Sequence, residues 1–140
     1  MTEFTLHKQL EADTTFITDL PLSRVLLIND SHYPWIVLVP RRTDATEIYK
    51  LSSEDQTQLL KESTQTCKVM EALFEPDKMN VAAIGNIVPQ LHLHHVARFT
   101  SDIAWPAPVW GFAQAAAYDN TTIENTVTSI REALNSASST

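Results

Sequence analysis

The stretch from Asn86 to Arg98, Asn-Ile-Val-Pro-Gln-Leu-His-Leu-His-His-Val-Ala-Arg, constrains this chain more than any other. Gln90, His92 and His94 alternate with Leu91, Leu93 and His95. An extended strand sends successive side chains to opposite faces, so this spacing places the first three on one face and both leucines on the other. Polar groups in a row with leucines behind them predict a working surface on a strand that rests on a core. Three accounts fit the row taken by itself. It is an ordinary half-buried strand whose polar face meets solvent. It is a metal site, in which His92 and His94 share an ion but need further ligands that no His-Glu or Cys-rich segment supplies. Or it is a site of phosphoryl chemistry, with an imidazole nitrogen as nucleophile and neighbours that orient it and handle protons.

The rest of the chain is consistent with one domain built on such a strand. At 140 residues, with 44% hydrophobic and 19% charged residues, it can bury an adequate core alone. A formal charge of −7 argues against a nucleic-acid polymer as partner, because duplex affinity needs clustered Lys and Arg. A small phosphate ligand is still compatible with it. Cys67 is the single cysteine, which excludes an intramolecular disulfide, and its place in a helical pattern predicts a buried structural thiol. The opening Met-Thr-Glu-Phe-Thr lacks a leader pattern, and no apolar run approaches the ~20 residues of a membrane span. A cytoplasmic protein with no membrane partner is expected.

In chain order, a short helix is expected near His7 to Leu10, then a short β-rich run from Thr14 to Thr18. The apolar run Ser23 to Ile28 and the run Trp35 to Val39, joined by Asn29-Asp-Ser-His-Tyr-Pro34, predict an antiparallel hairpin. Asp44 to Leu51 suggests a helical turn. A long helix follows, capped by Ser52 or Ser53, with Leu59, Leu60, Cys67, Met70, Leu73 and Phe74 as its apolar stripe and Lys61, Glu62, Gln65 and Lys68 facing away. Asn80 to Ile84 and Leu91 to Phe99 are further strands. Thr100 to Gly111 is proline-stiffened and irregular. A last helix from about Thr122 to Asn135 carries Ile123, Val127, Ile130 and Leu134 on one stripe, with Thr121 and Glu124 as a capping box and fraying from Ser136 to Thr140. Strands paired by short turns and covered by helices make an α+β domain with an antiparallel sheet.

The triad run resembles the histidine-triad (HIT) signature, three histidines alternating with apolar residues and often closed by an Arg. Here it reads Gln90-Leu91-His92-Leu93-His94-His95-Val96-Ala97-Arg98, with Gln90 at the first triad position and His95 at an aliphatic one. Val25 to Asn29 and Trp35 to Arg41 look like the family's paired early strands, so the likeness covers roughly residues 14–100. It implies a HIT-like fold, with about five antiparallel strands and two main helices, and usually a homodimer. It also implies a nucleotide hydrolase or transferase that cleaves at the α-phosphate through a nucleotidyl-histidine, with no metal or other cofactor. His92 is then the nucleophile, and its second ring nitrogen must meet an acceptor that fixes the tautomer. His94 binds phosphate oxygens and helps proton transfer. Gln90 can hydrogen-bond but cannot titrate, so an altered enzyme is expected, or else a nucleotide-binding module without turnover.

Asn29 and Asn86 are the candidate ribose and phosphate contacts, with Asn80 an alternative to Asn86; the plainer account of each is a turn residue satisfying its own backbone. Arg98 is a candidate phosphate contact, although its spacing favours a structural ion pair. Of Arg41 and Arg42, at most one points to a ligand. His95 falls on the core side or at an interface. The segment from Trp105 to Gly111 either packs aromatic surface onto the sheet or a partner, which is the favoured account, or walls the nucleotide pocket.

Overall fold

The computed structural model describes residues 3–138. Five strands, β1 (Thr14–Asp19), β2 (Ser23–Ile28), β3 (Trp35–Pro40), β4 (Lys78–Ala83) and β5 (Leu93–Arg98), form one sheet in the order β1-β2-β3-β5-β4. Every pairing is antiparallel. Helices α1 (Lys8–Asp13), α2 (Ser53–Phe74) and α3 (Asn120–Ser138) pack with the sheet, and a 3-10 turn lies at Ile48–Lys50. The expected α+β architecture with two main helices is therefore present. The helix expected to end at Asn135 continues to Ser138, while Ser139 and Thr140 lie outside the described residues.

Period-2 alternation divides the sheet into two working faces. On one, Ile17, Val25, Leu27, Ile36, Leu38, Leu93 and Ala97 pack against Leu59, Val69 and Met70 of α2 and Val127, Ile130 and Leu134 of α3. The α3 stripe is the expected one. On the other face, Leu10 of α1 covers Leu26, Val37 and Val39, and Val109 and Ala104 from the irregular segment join Tyr33 and Val96. A gap between these two covers leaves a cleft over part of the sheet.

Two helix details differ from expectation. In α2, Ser52 caps as predicted, its hydroxyl accepting from the Asp55 N–H. The buried face is rotated, however: Leu60 is 68% exposed, whereas Glu62, expected in solvent, is 1% exposed. Its carboxylate accepts from the backbone N–H groups of Leu22 and Ser23 at 2.8 and 2.9 Å, so a buried charge is satisfied by strand donors. The start of α3 is capped by Asp119 rather than Thr121, its carboxylate taking both the N–H and the hydroxyl of Thr122.

Candidate functional site

β5 is central in the sheet, flanked by β3 and β4, and all six of its residues are buried. Its alternation holds as the spacing requires. Leu93 and Ala97 enter the core beneath the helices, and His95 turns the same way to meet Ser63 of α2, with Nε2 2.7 Å from the hydroxyl. His94 and Val96 face the opposite side. His92 precedes the strand yet keeps this face, and its ring meets that of His94 edge-on at 4.8 Å.

Both histidines line a cleft of about 720 Å³. Its walls come from four stretches: α1 around Leu10 and Asp13, residues 28–30 after β2, the loop 84–88 after β4, and the segment from Val109 to Ala115. Gly85 adopts φ +65°, the left-handed region where glycine is unstrained, as the chain leaves β4 for this loop. Asn29 and Asn86 both line the cleft. Asn29 also accepts from the Tyr118 N–H, and neighbouring Asp30, buried, accepts from the Ala116 N–H, so the two residues fasten the far wall. No Lys or Arg is among the residues lining this cleft; its charged groups are the carboxylates Asp13 and Asp30.

The hydrogen bonds of the two rings assign their tautomers. Nδ1 of His92 lies 2.7 Å from the Gln90 carbonyl oxygen, which only accepts, so Nδ1 carries the proton and Nε2 keeps a lone pair. That is the orientation a nucleophilic imidazole needs. His94 is the reverse. The Trp35 indole N–H donates to His94 Nδ1 at 3.0 Å, so the proton of the neutral ring sits on Nε2. Burial, followed by the neighbouring His92 and His95, pushes the pKa of His94 down to about 3. His95 is lowered to about 4, also by burial, which its backbone hydrogen bonds only partly offset.

Several candidates fall elsewhere. The Gln90 side chain does not share the cleft. Its Oε1 accepts from the His7 N–H at 2.7 Å and its Nε2 donates to the Thr5 carbonyl at 2.9 Å, beside a separate recess that Gln90 lines. The strand begins only at Leu93, so alternation does not reach back to position 90. Arg98 is 1% exposed and fully engaged with Asp102, Asn80 and the Ala107 carbonyl, away from the cleft. It is the structural ion pair that its spacing favoured, and it occupies Asn80 as well. The same pairing holds the Asp102 carboxyl down at about 2, with backbone N–H groups of Phe99 and Trp105 assisting against desolvation. Arg41 donates to carbonyls of the β1–β2 turn, and Arg42 pairs with Asp55.

The Trp105–Gly111 segment divides its roles. Trp105 stacks on the Arg98 guanidinium, whereas Trp110 walls the cleft from the same chain, 5.3 Å from the His94 ring and 5.9 Å from Trp35. Cys67, expected to be buried, is half-buried, and burial pushes its thiol up. Sequence reasoning missed Trp35 and Asp30. The signal for Trp35 was its parity with Val37, which places it on the cleft face. Among the described residues no group of three or more His, Cys, Asp or Glu side chains could hold a metal ion. No helix there is long and apolar enough to cross a membrane.

With this geometry in place, comparison with known proteins is direct. The family model for the HIT domain matches residues 9–101. No curated protein matches the chain in sequence. Among solved structures, a histidine triad protein from Bradyrhizobium japonicum is 47% identical, over 95% of this chain and 99% of that one, with a TM-score of 0.93. A histidine triad protein from Marinobacter aquaeolei is 44% identical over 96% and 98%, with a TM-score of 0.94. One from Sinorhizobium meliloti is 38% identical over 92% and 96%, with a TM-score of 0.90. A family match over most of the chain, joined by full-length similarity to three histidine triad proteins, settles the affiliation: the chain belongs to the histidine-triad (HIT) family.

Proposed function

We propose that this protein is a nucleotide hydrolase or nucleotidyltransferase that works through His92. The observation that carries this reading is the hydrogen bond from His92 Nδ1–H to the Gln90 carbonyl, which leaves Nε2 nucleophilic at a cleft of nucleotide size. Nε2 attacks the α-phosphorus of a substituted nucleotide, the bond to the leaving group breaks, and water then hydrolyses the nucleotidyl-imidazole. The Nε2–H of His94 donates to a phosphoryl oxygen, and Asn86 and Asn29 contact phosphate and ribose. With two carboxylates and no Lys or Arg along the cleft, a substrate of low total negative charge is favoured. That points to nucleoside phosphoramidates. The missing second acid points the other way, to leaving groups that depart unaided, as in dinucleoside polyphosphates. A cytoplasmic homodimer belongs to the same reading. The open sheet edge at β4, with exposed Val81 and with Ile87 beyond it, supports the dimer.

A nucleotide-binding module without turnover is the second reading, supported by the diversion of the Gln90 side chain. Phosphorus NMR with adenosine 5′-phosphoramidate and with diadenosine tetraphosphate separates the two. Release of AMP by the native protein, abolished in His92→Ala while ligand-dependent thermal stabilisation persists, is the expected result. Stabilisation without turnover of either compound would move the assignment to the binding module. Absence of both would remove the nucleotide assignment.

A further inference from the structure

Trp35 does more than wall the cleft. In water a neutral imidazole exchanges its proton between two nitrogens, and an indole N–H can only donate. The 3.0 Å bond from Trp35 Nε1–H therefore requires a lone pair on His94 Nδ1 and excludes a proton there. The indole has little freedom to turn away. Trp35 is paired with Val96 of β5 in the sheet register, packs edge-on against Tyr33 at 6.3 Å and meets Trp110 edge-on at 5.9 Å. Trp110 closes over the His94 ring itself. The titratable groups around His94 are His92 and His95 on its own stretch of chain, Tyr33 beyond Trp35, and Asp13 and Asp30 along the cleft. None of these is a hydrogen-bond partner of Nδ1 among the described residues, where the indole N–H holds the position.

We propose that Trp35 is a positioning residue that commits His94 to its Nε2–H tautomer, making it a fixed hydrogen-bond donor to a bound phosphoryl oxygen and not a carrier of protons. The ligand half of this statement rests on the nucleotide reading; the tautomer half does not. The burial that holds His94 neutral acts in the same direction. A neutral imidazole is a poor acid, so no proton reaches the leaving group through His94. With the Gln90 side chain tied to the N-terminal segment, that proton comes from water or from the substrate itself.

The test is nitrogen-15 NMR of the full chain labelled at histidine and tryptophan, from about pH 8 to about pH 5.5 across the ordinary imidazole range. In the native protein His94 should show a proton-bearing Nε2 and a bare Nδ1 throughout, with scalar coupling across the bond to Trp35 Nε1. In Trp35→Phe the tautomers should mix, with both His94 nitrogens carrying the proton for part of the time. A native His94 that carries its proton on Nδ1, or that titrates within this range, overturns the proposal. So does a folded Trp35→Phe whose His94 tautomer matches the native one. If that variant does not fold, the coupling in the native protein decides alone. No nucleotide is needed for these spectra, so a failed turnover assay and a failed tautomer assignment are distinguishable.

Discussion

At position 90 the side chain and the main chain have separate tasks. The amide ties the N-terminal segment down through Thr5 and His7, while the carbonyl fixes the His92 tautomer. Gln90→Ala removes only the first task. It should lower stability by about 1–2 kcal/mol, the loss of two part-exposed hydrogen bonds, and leave turnover within a few-fold of native. Urea midpoints and phosphorus NMR read these two effects independently. An unchanged midpoint with a hundredfold loss of turnover would place the amide in the phosphoryl chemistry after all. The residue scale is also where the sequence was least legible. The parity of His92, His94 and His95 was visible because it depends only on the alternation of a strand. The partner of Gln90 was not, since Thr5 and His7 lie more than eighty positions away and the contact is to their backbone. The same holds for His92, whose orienting acceptor is a main-chain carbonyl that any residue would supply.

Glu62 joins two elements that the sequence located well and oriented poorly. The capping serine of α2 and the apolar runs of β2 and β3 are local signals, and the observed boundaries follow them closely. Which face of α2 is buried is not local. Counting Leu60 and Leu73 in the stripe turned Glu62 outward, but the start of β2 leaves two backbone donors that require an acceptor from the helix, and the helix rotates to provide it. Glu62→Ala should cost about 1–3 kcal/mol for each orphaned donor, whereas Glu54→Ala, on the exposed first turn, should change stability by less than about 0.5 kcal/mol. Urea denaturation of the two variants side by side makes the comparison. Equal small losses would mean that water satisfies the Leu22 and Ser23 N–H groups and that the helix is held by apolar packing alone.

For the whole molecule, the cleft and its electrostatics appear only when α1, the two loops after β2 and β4, and the Val109–Ala115 segment close over the sheet. Composition gave a net charge of −7, but the absence of Lys and Arg from the cleft depends on how Arg41, Arg42 and Arg98 are consumed by structure elsewhere. The same closure buries His94, and α2 buries His95 on the opposite face, both as neutral rings, and this has a consequence for the folding equilibrium. Their pKa values in the folded protein, about 3 and about 4, lie below the value of about 6.5 expected in the unfolded chain. Above that value both states are neutral and the two rings impose no pH dependence. As pH falls through it, the unfolded chain binds protons that the folded chain excludes, and stability drops down to the folded values. At pH 5 each ring should have cost about 2 kcal/mol relative to pH 7.5, or about 4 kcal/mol together. Asp102 adds to this only at lower pH, because its carboxyl is held at about 2 and an unfolded aspartate titrates near 4. Urea midpoints measured at about pH 7.5 and about pH 5 should therefore differ strongly, and His95→Phe should flatten the slope by removing one of the two proton acceptors. If the native midpoints coincide at the two pH values, the rings are protonated in the folded state as readily as in the unfolded one. His94 would then be free to carry a proton, and the fixed-donor role inferred from Trp35 would fall with the pH dependence.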